Sequence, residues 1–165
     1  MNSNLLKTTL VAAAGLLFAN STLAATATTT FKVTATVVDS CLVSATDLNF
    51  GAYDPLAAAL DGTSTITVTC TAQTPYEIGL SAGNGTPATT TRAMTGNDLA
   101  STHLDYELYS DTSRSAIWGA PGGATVTQTS LAGGAVAYTV YGRIPASQYV
   151  PAANYADTVT VTVTY

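Results

Sequence analysis

Thr63-Ser64-Thr65-Ile66-Thr67-Val68-Thr69-Cys70-Thr71 is the stretch that decides the fold. Its period of two puts Ile66, Val68 and Cys70 on one face of an extended strand and Thr63, Thr65, Thr67 and Thr69 on the other, so one face is buried and the other is wet. The C-terminus repeats the design, with Val159, Val161, Val163 and Tyr165 facing one way as a core strand and Thr158, Thr160, Thr162 and Thr164 the other. Shorter strand candidates lie near Leu48–Tyr53, Tyr76–Ser81, Leu104–Ser110, Ala116–Gly119, Ala124–Thr129 and Val136–Ile144. Between them Gly83-Asn84-Gly85, Pro121-Gly122-Gly123 and Ala132-Gly133-Gly134 supply turns. No helical period persists for three turns. Short strands at this spacing predict an all-β antiparallel sandwich of immunoglobulin type.

Composition agrees. Of 165 residues 47% are hydrophobic and only 9% charged, with a net charge of -5, one His, one Trp and 31 Thr. That is one modest domain, rich in strand formers and poor in catalytic side chains, so no enzymatic activity is expected. The acidic balance argues against nucleic acid as a partner, because counterion release needs clustered Lys and Arg. The single apolar run, Leu10–Phe18, is far below the roughly 20 residues of a membrane-spanning helix. With Lys7 before it and Ser21-Thr22-Leu23-Ala24-Ala25 after it, residues 1–24 read as a secretory signal peptide cleaved after Ala24, with Ala25 or Ala27 as alternatives.

Export gives the cysteines their meaning. Cys41 and Cys70 are the only two, and in an oxidising compartment such a pair is expected to form one disulfide. The closed loop of about 30 residues corresponds to roughly 3.6 kcal/mol in the chain-entropy model. Two cysteines and His103 do not complete a zinc shell, and no metal or cofactor is expected.

Ahead of Cys41, Phe31, Val33, Ala35 and Val37 alternate with Lys32, Thr34 and Thr36, behind a low-complexity leader, Ala25–Thr30. Two readings stay open. The segment is either the first strand of the chain's own sandwich or a detachable strand that adds to another domain.

The stretches Phe-Lys-Val-Thr-Ala-Thr-Val-Val-Asp-Ser-Cys at 31–41, Leu-Asn-Phe-Gly-Ala-Tyr-Asp-Pro at 48–55, Ile-Thr-Val-Thr-Cys at 66–70, Tyr-Glu-Ile-Gly-Leu at 76–80, Val-Tyr-Gly-Arg-Ile-Pro at 140–145 and Tyr-Ala-Asp-Thr-Val-Thr-Val-Thr-Val-Thr-Tyr at 155–165 resemble the spore coat protein U domain family. Leu-Tyr-Ser-Asp at 108–111 and Ile-Trp-Gly at 117–119 add to the likeness, which covers nearly the whole exported chain. That family includes major subunits of archaic chaperone-usher pili. The resemblance implies an incomplete immunoglobulin-like β-sandwich, residues 39–165, with residues 25–38 as an N-terminal donor strand. It makes Phe31, Val33, Ala35 and Val37 the side chains inserted into a neighbouring subunit, Ala35 being smaller than the aliphatic common at such a central position. The implied partners are identical or homologous pilus subunits, a periplasmic chaperone and an outer-membrane usher. The implied destination is a cell-surface fibre serving adhesion and biofilm formation. A self-complemented secreted sandwich that binds glycan or forms a coat is the alternative.

Other polar groups carry less. His103 near Asp105 and Glu107 lacks any nucleophile motif and reads as a loop histidine. Asp105 and Glu107 share a strand face and read as solvated. Trp118 with Tyr106, Tyr109, Tyr138 and Tyr141 would make a sugar-stacking platform if they converged. Asp98 with Asp111 lacks an ordered calcium loop.

Overall fold

The computed structural model describes residues 24–85, 88–97, 99–130 and 132–165. The expected leader, except for its last residue, and Asp98 lie outside the described residues. The chain divides into two units, at Ala35 and Thr36. Within the first, residues 24–35 form no strand and are exposed throughout, Phe31 at 86% and Val33 at 80%.

In the second unit nine strands are described: β1 (Cys41–Ala45), β2 (Leu60–Cys70), β3 (Thr74–Leu80), β4 (Arg92–Gly96), β5 (Leu99–Tyr109), β6 (Val126–Ser130), β7 (Gly134–Ile144), β8 (Tyr155–Ala156) and β9 (Val161–Thr164). They form a six-stranded sheet, ordered β1-β2-β7-β5-β4-β8, and a three-stranded sheet, ordered β6-β3-β9. Every pairing is antiparallel. The protein is thus an all-β antiparallel sandwich. Among the described residues no helix is long and apolar enough to cross a membrane.

The Thr63–Thr71 run lies in β2 up to Cys70, and β2 pairs with β7 over its full length, from Leu60↔Ile144 to Cys70↔Gly134. Its inward Ile66 and Val68 are each 1% exposed. From the smaller sheet Tyr76, Ile78 and Leu80 face them, and Leu104, Tyr106, Leu108, Val140 and Ile144 complete the core with Trp118. Cys41 stands opposite Cys70 in the β1–β2 ladder, and the two are joined in a disulfide.

Three differences from the expected strands have physical causes. Leu48–Tyr53 is not a strand. Gly62 and Gly142 are partners across β2 and β7, and together they leave a hollow in the inner face of the large sheet. Leu48 and Phe50 occupy it so closely that a Cβ on Gly142 would stand 2.7 Å from Phe50 Cζ and 2.8 Å from Leu48 Cδ1. Ala116–Gly119 forms only an isolated bridge, Tyr109↔Ile117, and is held by Trp118, whose indole Nε1 donates to the Ile78 carbonyl at 2.8 Å. Strands β1, β4 and β8 are additions that no alternation announced. β4 is buried on both faces in part, so its residues carry no period of two.

The polar groups also move. His103 is on strand β5 opposite Thr95, not on a loop, and is exposed. Glu107 is not a solvated carboxylate, for it accepts the Arg92 backbone N–H at 2.8 Å. The five aromatics do not converge. Trp118 and Tyr106 are in the core at 1% and 5% exposure. Tyr138 shares its hydroxyl with Tyr76 at 2.6 Å. Tyr109 and Tyr141 are paired across β5 and β7, where the Arg114 guanidinium lies 5.7 Å from the Tyr141 ring centre.

Candidate functional site

The sandwich has an open side. β1 is one edge of the large sheet, β9 is an edge of the small one, and neither pairs with the other. In antiparallel pairing, alternate main-chain groups point away from the partner, so an edge strand presents unpaired N–H and C=O groups outward. Here a groove of about 430 Å³ opens between Ala45–Phe50 on one side and Tyr155–Val161 on the other. Its floor is made by Ile66, Leu80, Leu108 and Val140, all core residues.

The first wall stands because of the glycine hollow. Leu48 and Phe50 are pinned in it, and Thr46 is fastened to β2 by its N–H to the Thr65 carbonyl at 3.0 Å. Phe50 also meets Tyr106 edge-on, with ring centres 6.3 Å apart.

The second wall is fixed by Asp157. Its carboxylate accepts the Tyr106 hydroxyl at 2.6 Å and the backbone N–H groups of Asn84 and Thr158, each at 2.7 Å. Burial first, then the bond to Asp157, push the Tyr106 hydroxyl far above its ordinary range, so Tyr106 stays a neutral donor. Further along, Ser81 donates its N–H to the Thr160 carbonyl at 3.0 Å and accepts the Thr160 N–H on its hydroxyl at 2.9 Å.

Behind the floor, Arg92 ties the two sheets. Its side chain is fully buried. It donates to the carbonyls of Ser81 at 2.9 Å, Leu80 and Thr89 at 3.1 Å, and Trp118 at 2.7 Å. Desolvation lowers its affinity for the proton, opposed by Glu107, whose Oε2 lies 3.9 Å from Nη1. Burial in turn pushes the Glu107 carboxyl up. A lone arginine in a threonine-rich run gives no sign of this role, and sequence reasoning missed it. Only the scarcity of bases in the chain marked it as unusual.

The residues singled out in the sequence fall in three places. Val159, Val161 and Val163 are half-buried against the core, Val159 and Val161 lining the groove, while Tyr165 beyond β9 is 59% exposed. Cys41 and Cys70 fasten the start of β1. Phe31, Val33, Ala35 and Val37 belong to no strand of either sheet and are exposed. Among the described residues no cluster of His, Cys, Asp or Glu is placed to hold a metal ion.

The described residues thus form an antiparallel sandwich with a groove over its core between the edge strands β1 and β9. The chain belongs to the family of the Spore Coat Protein U domain, whose pattern matches residues 27–162. It is 36% identical over 169 residues to Protein U of Myxococcus xanthus, covering 93% of each chain. In structure it is similar to a chain in the CsuC–CsuE chaperone–tip adhesion subunit complex from archaic chaperone-usher Csu pili of Acinetobacter baumannii, with a TM-score of 0.58 and 28% identity. That likeness covers 79% of this chain and 40% of the other, so this chain spans less than half of it.

Proposed function

We propose that this protein is a structural subunit of a secreted surface fibre of the archaic chaperone-usher type, assembled by donor-strand exchange and serving adhesion and biofilm formation. The observation that carries the reading is the groove of about 430 Å³ that runs over the core between Ala45–Phe50 and Tyr155–Val161, where the edge strands β1 and β9 end and begin. An uncovered apolar cleft with bare strand edges aggregates until something fills it. Residues 25–38 of a second copy are the strand that fills it, with Phe31, Val33, Ala35 and Val37 directed to the floor. Burying Phe31, Val33 and Val37 contributes on the order of 5–9 kcal/mol before ordering costs.

Residues 1–24 are the export signal and 39–165 the sandwich. Before assembly a periplasmic chaperone covers the groove, and an outer-membrane usher orders polymerisation. The similarity to a chaperone–subunit complex supports this route. No chemistry is assigned to the domain.

The test compares the full chain with one lacking residues 25–37 and with Val33→Asp, which would bury an unpaired charge. The wild type is expected to form ladders of multiples that resist mild heating in detergent, and both variants to remain single subunits. Fibres of normal length from either variant would refute the reading, and a wild-type chain that stays monomeric would favour the self-contained glycan binder.

A further inference from the structure

We propose that Lys32 of one copy forms an ion pair with Asp47 of the next, and that this pair selects the register in which the donor segment seats. The inference rests on the donor-strand reading and adds to it a specificity contact.

The charges leave few choices. Of the five bases, Lys7 belongs to the leader. Arg92 is buried on carbonyls beside Glu107, and Arg114 and Arg143 both hold Asp61, at 3.2 and 2.7 Å. Lys32 remains, the one cation of the exported chain engaged with no carboxylate among the described residues. Two carboxylates line the groove, Asp47 and Asp157. Those of Asp157 are already occupied by Tyr106, Asn84 and Thr158. Asp47 is exposed and has no hydrogen bond or ion pair among the described residues.

Parity then brings the two together. With Phe31 and Val33 directed to the floor, Lys32 between them points outward. On the wall Leu48 packs against Gly62 and Gly142, and its exposed neighbour Asp47 stands on the rim of the groove. Residues 46–50 form no strand, so no ladder sets the spacing, but the long Lys32 stem of a segment laid along this wall carries its ammonium to a carboxylate on the rim.

The segment needs such a contact. A slip of one residue exposes every apolar side chain and is forbidden by burial, whereas a slip of two keeps them buried. Phe31, Val33, Ala35 and Val37 are apolar throughout, so packing discriminates even slips weakly. One cation facing one carboxylate discriminates them.

The experiment uses the full chain carrying Val33→Asp, whose own segment is unable to insert, titrated with a synthetic peptide of residues 27–38. At low salt the Lys32→Glu peptide is expected to bind about 5-fold more weakly than wild type, from roughly 1 kcal/mol for an exposed pair. Asp47→Lys in the receiving chain should restore it, and high salt should close the gap. A photo-crosslinker at position 34 should mark one site with the wild-type peptide and sites two residues apart with Lys32→Glu. If the wild-type peptide binds but Lys32→Glu matches it in affinity and crosslink, the ion pair is overturned and the donor-strand reading stands. If the wild-type peptide does not bind, both fall.

Discussion

Gly142→Ala probes the wall of the groove through its foundation. The added Cβ would stand 2.7 Å from Phe50 Cζ and 2.8 Å from Leu48 Cδ1, so both side chains must give way. Overpacking of this kind costs about 1–3 kcal/mol. Replacing a strand glycine by alanine returns about 0.5–1 kcal/mol, because the unfolded chain loses freedom. The net spans about 0–2.5 kcal/mol, and with two side chains inside 3.0 Å a loss above about 1 kcal/mol is expected. Gly62→Ala is the internal control. Its Cβ would meet Leu48 Cδ2 and Phe50 Cδ1 at 3.1 Å, a contact a few tenths of an ångström of movement relieves, so its net effect should lie near zero. Phe50→Leu removes the ring carbon in the closest contact, and in that background Gly142→Ala should cost measurably less. Denaturant unfolding with the disulfide intact reads the three effects. Binding of the 27–38 peptide should weaken with Gly142→Ala, since Leu48 and Phe50 belong to the groove. A Gly142→Ala chain as stable as wild type, or a penalty unchanged by Phe50→Leu, would refute the account of how this wall is held.

Arg92→Met should destabilise by about 3–5 kcal/mol in the same assay, because it leaves four carbonyls without their donor and Glu107 without its opposing charge in the interior. A loss under about 1 kcal/mol would contradict that role. Removing the disulfide with Cys41→Ser and Cys70→Ser together should cost about 3.6 kcal/mol by loop entropy, measured as a shift in the denaturation midpoint. The hydrogen bond from Arg143 outweighs burial and holds Asp61 below its ordinary 3.8. Its contribution is therefore present above that value and lost as pH falls through the lower folded one. With Asp61 and Arg143 side chains 38% and 40% exposed, the effect is screened to about 0.5 kcal/mol or less, and Asp61→Asn should flatten stability over that acid range.

The strands that alternate were legible because a half-buried strand writes its two faces into every second residue. Ile66, Val68 and Cys70 against their threonines are the clearest case, and Val161 and Val163 against Thr162 and Thr164 the next. Where a segment is buried on both sides or crosses a sheet, the period vanishes. Arg92–Gly96 and the pinned pair Leu48 and Phe50 therefore gave no correct signal, the latter reading as one more strand.

Sequence by itself determined the sandwich class, the separation of a patterned N-terminal segment from the body, and the two cysteines available for a bridge, since each depends on residue type and spacing along the chain. The tertiary structure alone decided where the open side lies, that two glycines opposite each other seat one wall of it, and that Asp157 and Arg92 brace what stands beside and behind it. Those features join positions such as Phe50 and Gly142, far apart in the chain, and only folding makes such pairs neighbours.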